Sequence, residues 1–250
     1  MSNYQQIFRR KSFHRFKETI PLTNKDIELI NYIINNVTPL DNNIRFKTIL
    51  VKEKETSCRL GAEYCLLFYS EIKDLYLENI GYIGEQIDLA LTSYNIGTLW
   101  CGLGKPKETS YDGLDYVIMI CIGKVEASSF RENLISFKRK SINKTWKGKL
   151  LPFSKDVILA PSAVNSQPWF VENNHSELLV YRKLSAAKFG IVPLKVMHYY
   201  NKIDMGIYLL FLETCLNHFN YEYERILNKN QNSSKKTKIL VSKYVYSNNL

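Results

Sequence analysis

Ala160-Pro161-Ser162-Ala163-Val164-Asn165-Ser166-Gln167-Pro168-Trp169-Phe170 is the stretch whose reading decides this chain. Small residues and a run of hydroxyl and amide side chains stand between two prolines and lead into an indole. Asn and Gln each donate and accept, so Asn165 and Gln167 can together read the mixed edge of a planar heterocycle. A helix end followed by an Asx-type turn would use similar residues. Such a turn seldom needs Ser, Asn and Gln so closely spaced, or Pro-Trp directly after them. The stretch therefore reads as a binding loop, entered from a helix at roughly 154–160 and left through strands near 169–172 and 177–182.

Two segments upstream carry further chemistry. Asn95-Ile96-Gly97-Thr98-Leu99-Trp100-Cys101-Gly102-Leu103-Gly104 follows a helix predicted over 75–94, where Ile80, Ile83, Ile87 and Leu91 form one stripe. Its glycines would let backbone approach a planar ligand closely; a helix C-cap and turn is the plainer alternative. Cys101 has no His or acid beside it in sequence, so it reads as a buried structural thiol rather than a nucleophile. Arg9-Arg10-Lys11-Ser12-Phe13-His14-Arg15-Phe16 concentrates cations and a hydroxyl that can pair with a phosphate. A frayed basic terminus would show the same charges, but Phe13 and Phe16 give this segment something to bury.

The rest of the chain alternates helices and strands. Thr23, Asp26 and the spacing of Ile27, Ile30 and Ile34 predict a capped helix over 23–37. Strands are predicted over 44–51, 62–69, 116–122 and 239–246, and an apolar helix over 197–219. Residues 228–236 read as a mobile polar loop. Arg10-Lys11-Ser12-Phe13 aligns with Arg139-Lys140-Ser141-Ile142 at a shift of 129, and Lys25–Leu29 with Lys155–Leu159 at a shift of 130. Two matches in nearly one register imply a duplicated half, with half-repeats of about 1–130 and 131–250.

Composition bounds these readings. With 250 residues the chain can bury ~70–75% of its unfolded surface, and 45% hydrophobic and 23% charged residues suit a globular protein. No apolar run approaches the ~20 residues of a membrane span, and no apolar stretch follows the basic N-terminus as a secretory signal requires. The five cysteines are scattered and never spaced as CxxC, which argues against a disulfide framework or zinc site and for a reducing cytoplasm. A net charge of +10 admits nucleic acid or a phosphorylated ligand as partner. The 17 Tyr and 12 Phe are spread along the chain, however, and no nucleic-acid-binding signature is present, so no nucleic acid is expected.

Together the three segments resemble the nitroreductase superfamily of FMN proteins. Its Arg-Arg-Ser, Gly-x-Gly-Thr-x-Trp-x-Gly and Pro-Ser-x-x-Asn-x-Gln-Pro-Trp motifs correspond here to Arg10-Lys11-Ser12, Asn95 to Gly102 and Pro161 to Trp169. A closing basic segment corresponds to Phe137-Lys138-Arg139-Lys140. The order of the motifs resembles a branch in which two half-domains are fused in tandem. The resemblance implies an α+β three-layer fold, a mostly antiparallel sheet flanked by helices, as a single domain of two pseudo-symmetric halves.

It also implies that Arg10, Ser12 and Arg139 or Lys140 hold the FMN phosphate. Ser162, Asn165 and Gln167, set in the motif with Pro161 and Ala163, would meet the ring or ribityl chain. Trp100, Cys101, Gly102 and Leu103 would lie along the isoalloxazine, with the amide of Gly102 or Leu103 near N5. Lys11 and His14 stand where the family more often has Arg, and either could supply a cation near the ring. Electrons would pass from NADH or NADPH to a small electron-poor acceptor such as a nitroaromatic or quinone, with no side-chain nucleophile or general acid. One FMN per chain is implied, in a monomer with an internal pseudo-dimer or in a homodimer. An FMN-binding protein without turnover, in storage or sensing, is the alternative.

Overall fold

Thr23 begins its helix as the side chains dictate: its hydroxyl accepts from the Asp26 amide at 3.2 Å, and the Asp26 carboxylate accepts from the Thr23 amide at 2.8 Å. This is a computed structural model of the chain, and it describes residues 3–133, 137–184, 193–231 and 237–248. The chain divides into two compact units, Met1–Ser136 and Phe137–Leu250.

The first unit runs α1 (Asn3–Arg9), α2 (Asn24–Asn35), β1 (Phe46–Lys52), β2 (Tyr64–Ser70), α3 (Tyr76–Ser93), β3 (Ile96–Cys101), β4 (Ser110–Tyr111) and β5 (Leu114–Lys124). Its sheet is ordered β1-β2-β5-β3, with the short β4 added to β5, and every pairing is antiparallel. The two inner strands, β2 and β5, are buried along most of their length, which is why both read as continuous apolar runs. Helix α3 packs on β2, β3 and β5. A cluster containing Phe13, Phe16, Leu67, Leu99, Met119 and Phe130, with several cysteines, forms a second core.

The second unit runs α4 (Ile142–Thr145), β6 (Trp146–Gly148), α5 (Ser154–Val157), β7 (Trp169–Asn174), β8 (Glu177–Lys183), α6 (Leu194–His218), β9 (Tyr221–Leu227) and β10 (Lys238–Asn248). Its sheet is ordered β6-β7-β8-β10-β9; β6 lies parallel to β7 and the other pairs are antiparallel. Burial alternates residue by residue in β7 and β8, the period-two signature of a strand with one face inward. Both units make the same connections: a hairpin, a long helix, an edge strand, then a last strand inserted between edge and hairpin. The fold is thus α+β with mostly antiparallel sheets and helices.

Three expectations need correction. Residues 96–101, read as a ligand loop, form the edge strand β3, because Gly97 makes room for the Phe13 ring and does not break the strand. The helix expected over 154–160 is only Ser154–Val157, cut short ahead of Pro161. Elements α1, β4, α4, β6 and β9 were not anticipated. Of the polar segment 228–236, residues 232–236 lie outside the described residues.

Candidate functional site

The stretch 160–168 turns sharply, with three residues in the left-handed region of the backbone. Val164, Asn165 and Gln167 have φ of +45°, +56° and +46°, and Val, branched at Cβ, is a poor occupant of that region. Helix α6 supplies the restraint. Its Asp204 accepts from the Ala163 amide at 2.9 Å and from the Ser166 hydroxyl at 3.4 Å. Asn201, one turn earlier, donates to Ser166 Oγ at 2.8 Å and to Asp204 Oδ2 at 3.0 Å. Ser162 Oγ accepts from the Gln167 amide at 2.9 Å, closing the loop on itself. Trp169 is fully buried and stacks on Tyr208 of α6 with centroids 4.9 Å apart. Burial pushes the Asp204 carboxyl up to about 7, against the opposing pull of the Ala163, Asn201 and Ser166 donors. Val164 and Asn165 are presented to solvent, while Ser166 and Gln167 are buried.

Against this loop lies the basic segment 137–140. Arg139 donates to Asn165 Oδ1 at 3.2 Å and to the Leu159 carbonyl at 2.8 Å. Asn165 Nδ2 donates to the Lys138 carbonyl at 2.9 Å. The Lys140 amide donates to Gln167 Oε1 at 2.7 Å, and its ammonium donates to the carbonyls of Ser166 at 2.5 Å and Gln167 at 3.1 Å. The structure therefore brings together Arg139, Lys140, Ser162, Asn165 and Gln167, and it sets Pro161 and Ala163 in the same loop. Burial, and then the like charges of Lys183 and Lys144, pull Lys140 below the ordinary lysine value. Among the described residues no carboxylate pairs with Lys140, Lys144 or Lys183. Mutually repelling cations without a counter-charge among the described residues, beside amide groups held in a fixed loop, fit an anionic ligand such as a flavin phosphate.

The first unit places its predicted residues differently. Arg10 is 1% exposed, and its Nε lies 3.1 Å from Asp88 and 3.5 Å from Glu85. Burial alone would lower its pKa, but the two carboxylates outweigh it and hold the guanidinium charged. Arg10 therefore joins the end of α1 to α3 as a structural ion pair. Ser12 bridges to Thr98 of β3 and lies 3.4 Å from Arg10 Nη2. The Lys11 ammonium donates to the Ser129 carbonyl at 3.0 Å, and both Lys11 and His14 are exposed. Trp100 turns onto α3: its indole N–H donates to Glu85 at 3.1 Å, and its ring fills the space that a Cβ on Gly84 would occupy, 2.4 Å from Cη2. The space beside Gly97 is filled by Phe13, and that beside Gly104 by Met119 and Cys58. Gly102 and Leu103 are exposed in the turn after β3, and Cys101 is half-buried.

Sequence reasoning missed Asp204, Lys144 and Lys183. Asp204 sits in an apolar helix whose pattern says only that it is buried; an acid on that stripe was the available signal. A cavity of about 350 Å³ lined by Gln5, Phe8, Arg9, Arg131, Glu132 and Asn133 contains none of the expected residues.

The sequence matches the family described as "Putative TM nitroreductase" over residues 3–215. A crystal structure of a "putative nitroreductase" from Thermotoga maritima is similar at a TM-score of 0.61 and 21% identity, over 98% of this chain and 93% of that one. A nitroreductase family protein from Clostridium novyi NT aligns at 0.41 and 18%, over 53% of this chain and 89% of its own. A nitroreductase with bound FMN from Desulfitobacterium hafniense aligns at 0.39 and 15%, over 50% and 89%. No curated protein matches the sequence. The family match spans most of the chain, and the chain belongs to this nitroreductase family.

Proposed function

We propose that the chain is an FMN-dependent oxidoreductase that passes electrons from NADH or NADPH to small electron-poor acceptors such as nitroaromatics or quinones. The observation that carries this reading is the strained loop 162–167, clamped by Asp204 and lying beside lysines that have no carboxylate partner among the described residues. Bound FMN would supply the electron transfer itself, and the protein binding and orientation.

In the second unit, Lys140 and Arg139 would meet the phosphate, with Lys144 and Lys183 adding to the positive field. Ser162 and Asn165 sit at the accessible part of the loop, where Asn165 can exchange its bonds to Arg139 and Lys138 for bonds to a ligand. Gln167 is buried and bonded to the Lys140 amide, so its part is to hold the loop in register. In the first unit the exposed positions Lys11, His14, Gly102 and Leu103, together with Ser12, Trp100 and Cys101, retain the role that the resemblance assigns them; Arg10 does not. A small-molecule acceptor, one FMN per chain and a reducing compartment complete the proposal.

FMN titration of wild type against Lys140→Gln and Asn165→Ala tests it. A charged hydrogen bond contributes about 1.5–3 kcal/mol, so Lys140→Gln should weaken FMN binding by roughly tenfold or more, and Asn165→Ala by less. Unchanged affinity in both variants would refute the assignment of this loop.

A further inference from the structure

Four of the five cysteines converge in the first unit, although their positions in sequence are far apart. In the sheet register Cys65 of β2 faces Cys121 of β5, and Cys101 of β3 faces Met119 of β5. Strand positions two apart share a face, so Cys121 and Met119 bring these sulfurs together on one side of the sheet. Cys58, in the loop ahead of β2, completes the group: its Sγ lies 3.3 Å from Cys101 Sγ and 3.4 Å from Met119 Sδ. Cys65 and Cys121 are 3.5 Å apart. All the cysteines are free thiols. Gly104 is what admits the group, since a Cβ there would stand 2.6 Å from Met119 Sδ and 2.9 Å from Cys58 Sγ.

The thiols are not equivalent. Cys58, Cys65 and Cys121 are buried, whereas Cys101 is half-buried at the end of an edge strand, next to the exposed Gly102 and Leu103. The Cys101 sulfur lies 3.3 Å from Cys58 Sγ and within 4.8 Å of Cys121 Sγ, and the amides of Gly104 and Leu103 add to the groups that favour its thiolate. Those groups, the Cys121 thiol foremost, outweigh burial and bring Cys101 down to about 6, while burial and the adjacent Cys101 push Cys58 up to about 12. A thiolate reacts and a thiol waits.

We propose that Cys101 and Cys58 form a thiol–disulfide pair, in which Cys101 is oxidised by a hydroperoxide and Cys58 resolves the product. The Cys101 thiolate attacks the terminal oxygen of the hydroperoxide and breaks the O–O bond. The alkoxide, or hydroxide when the oxidant is hydrogen peroxide, leaves and is protonated, and Cys101 becomes a sulfenic acid. The Cys58 sulfur then attacks Cys101 Sγ; hydroxide departs and takes the Cys58 proton as water. Two thiols are oxidised to one disulfide, and the hydroperoxide is reduced to an alcohol or water. The sulfurs need to close from 3.3 Å to about 2.05 Å. The bond would tie the loop before β2 to the end of β3. This inference does not rest on the flavin reading.

The test treats reduced full-length protein with one equivalent of hydrogen peroxide, blocks free thiols with N-ethylmaleimide, and maps peptides by mass spectrometry. The expected product joins the Cys58 and Cys101 peptides, is reversed by dithiothreitol, and leaves Cys65, Cys121 and Cys215 as thiols. In Cys58→Ser the linked peptide is lost and a Cys101 sulfenic acid is trapped by dimedone. Cys58→Ala, which buries no hydroxyl, gives the same readout should the serine variant fold poorly. Cys101 that stays alkylatable after peroxide, or that reaches sulfinic acid equally in wild type and variant, overturns the proposal. Stoichiometric copper or zinc in the purified protein, shielding Cys101 from alkylation, overturns it in favour of a thiolate metal site.

Discussion

Arg10 shows how one residue type serves two ends. In sequence it is a guanidinium beside a serine, suited to a phosphate; in the fold it is buried between Asp88 and Glu85. The sequence did not reveal this because the two acids lie far along the chain, on the buried face of α3. Replacing Arg10 by Met leaves two carboxylates without their counter-charge, which typically costs about 3–5 kcal/mol. Urea unfolding of Arg10→Met checks this; a loss well under 1 kcal/mol would mean that the ion pair does little. Asp204 gives a prediction in pH. Its folded value of about 7 lies above the ordinary 3.8, so the folded state binds the extra proton, and stability attributable to this group falls as pH rises from about 4 through 7. A carboxyl raised that far accounts for a fall of up to about 4 kcal/mol. Asp204→Asn should remove that slope, measured as the difference in unfolding free energy between wild type and variant at pH 5 and pH 8; parallel profiles would contradict it.

Strand β3 was the element least legible in advance. Gly97, Gly102 and Gly104 suggested a loop, because glycine's lack of a side chain is read first as backbone freedom. Here Phe13 fills the space beside Gly97, and Met119 and Cys58 that beside Gly104; such contacts are long-range and leave no local trace. Strand β9, Tyr221–Leu227, was legible and overlooked: its buried Tyr221 is followed by alternating exposed and half-buried positions, the pattern of a strand with one wet face. Helices α2, α3 and α6 were found to within a few residues because long amphipathic or apolar stripes survive any tertiary arrangement. Gly84 of α3 belongs to the same class of contact as Gly97. A methyl group at Gly84 would stand 2.4 Å from the Trp100 ring. Gly84→Ala should therefore destabilise the protein by about 1–3 kcal/mol and alter its near-ultraviolet circular dichroism. An unchanged melting temperature and spectrum would show that Trp100 can move aside freely.

Across the whole chain, the strands β1, β2, β3 and β5 of the first unit and β7, β8, β9 and β10 of the second are connected alike, while β4 and β6 are particular to their own sheets. The α+β class was legible through the resemblance that the three motif segments carry, and the loop from Pro161 to Trp169 stood out because its composition is unusual. The cluster of sulfurs was not, since spacing along the chain says nothing of register across a sheet. Only the second unit carries the Asn-Ser-Gln-Pro-Trp sequence, and saturation with FMN should give one flavin per chain by absorbance against protein concentration; two would show that the first unit binds as well.

The measurement that bears most directly on the proposed activity is an anaerobic titration of FMN-loaded protein with NADH and with NADPH, followed in the visible flavin band. The account predicts that at least one nucleotide bleaches the band at about one equivalent per bound flavin, and that a nitroaromatic or quinone restores it. A band that survives an excess of both nucleotides would contradict the oxidoreductase reading and leave a protein that binds flavin without turning it over.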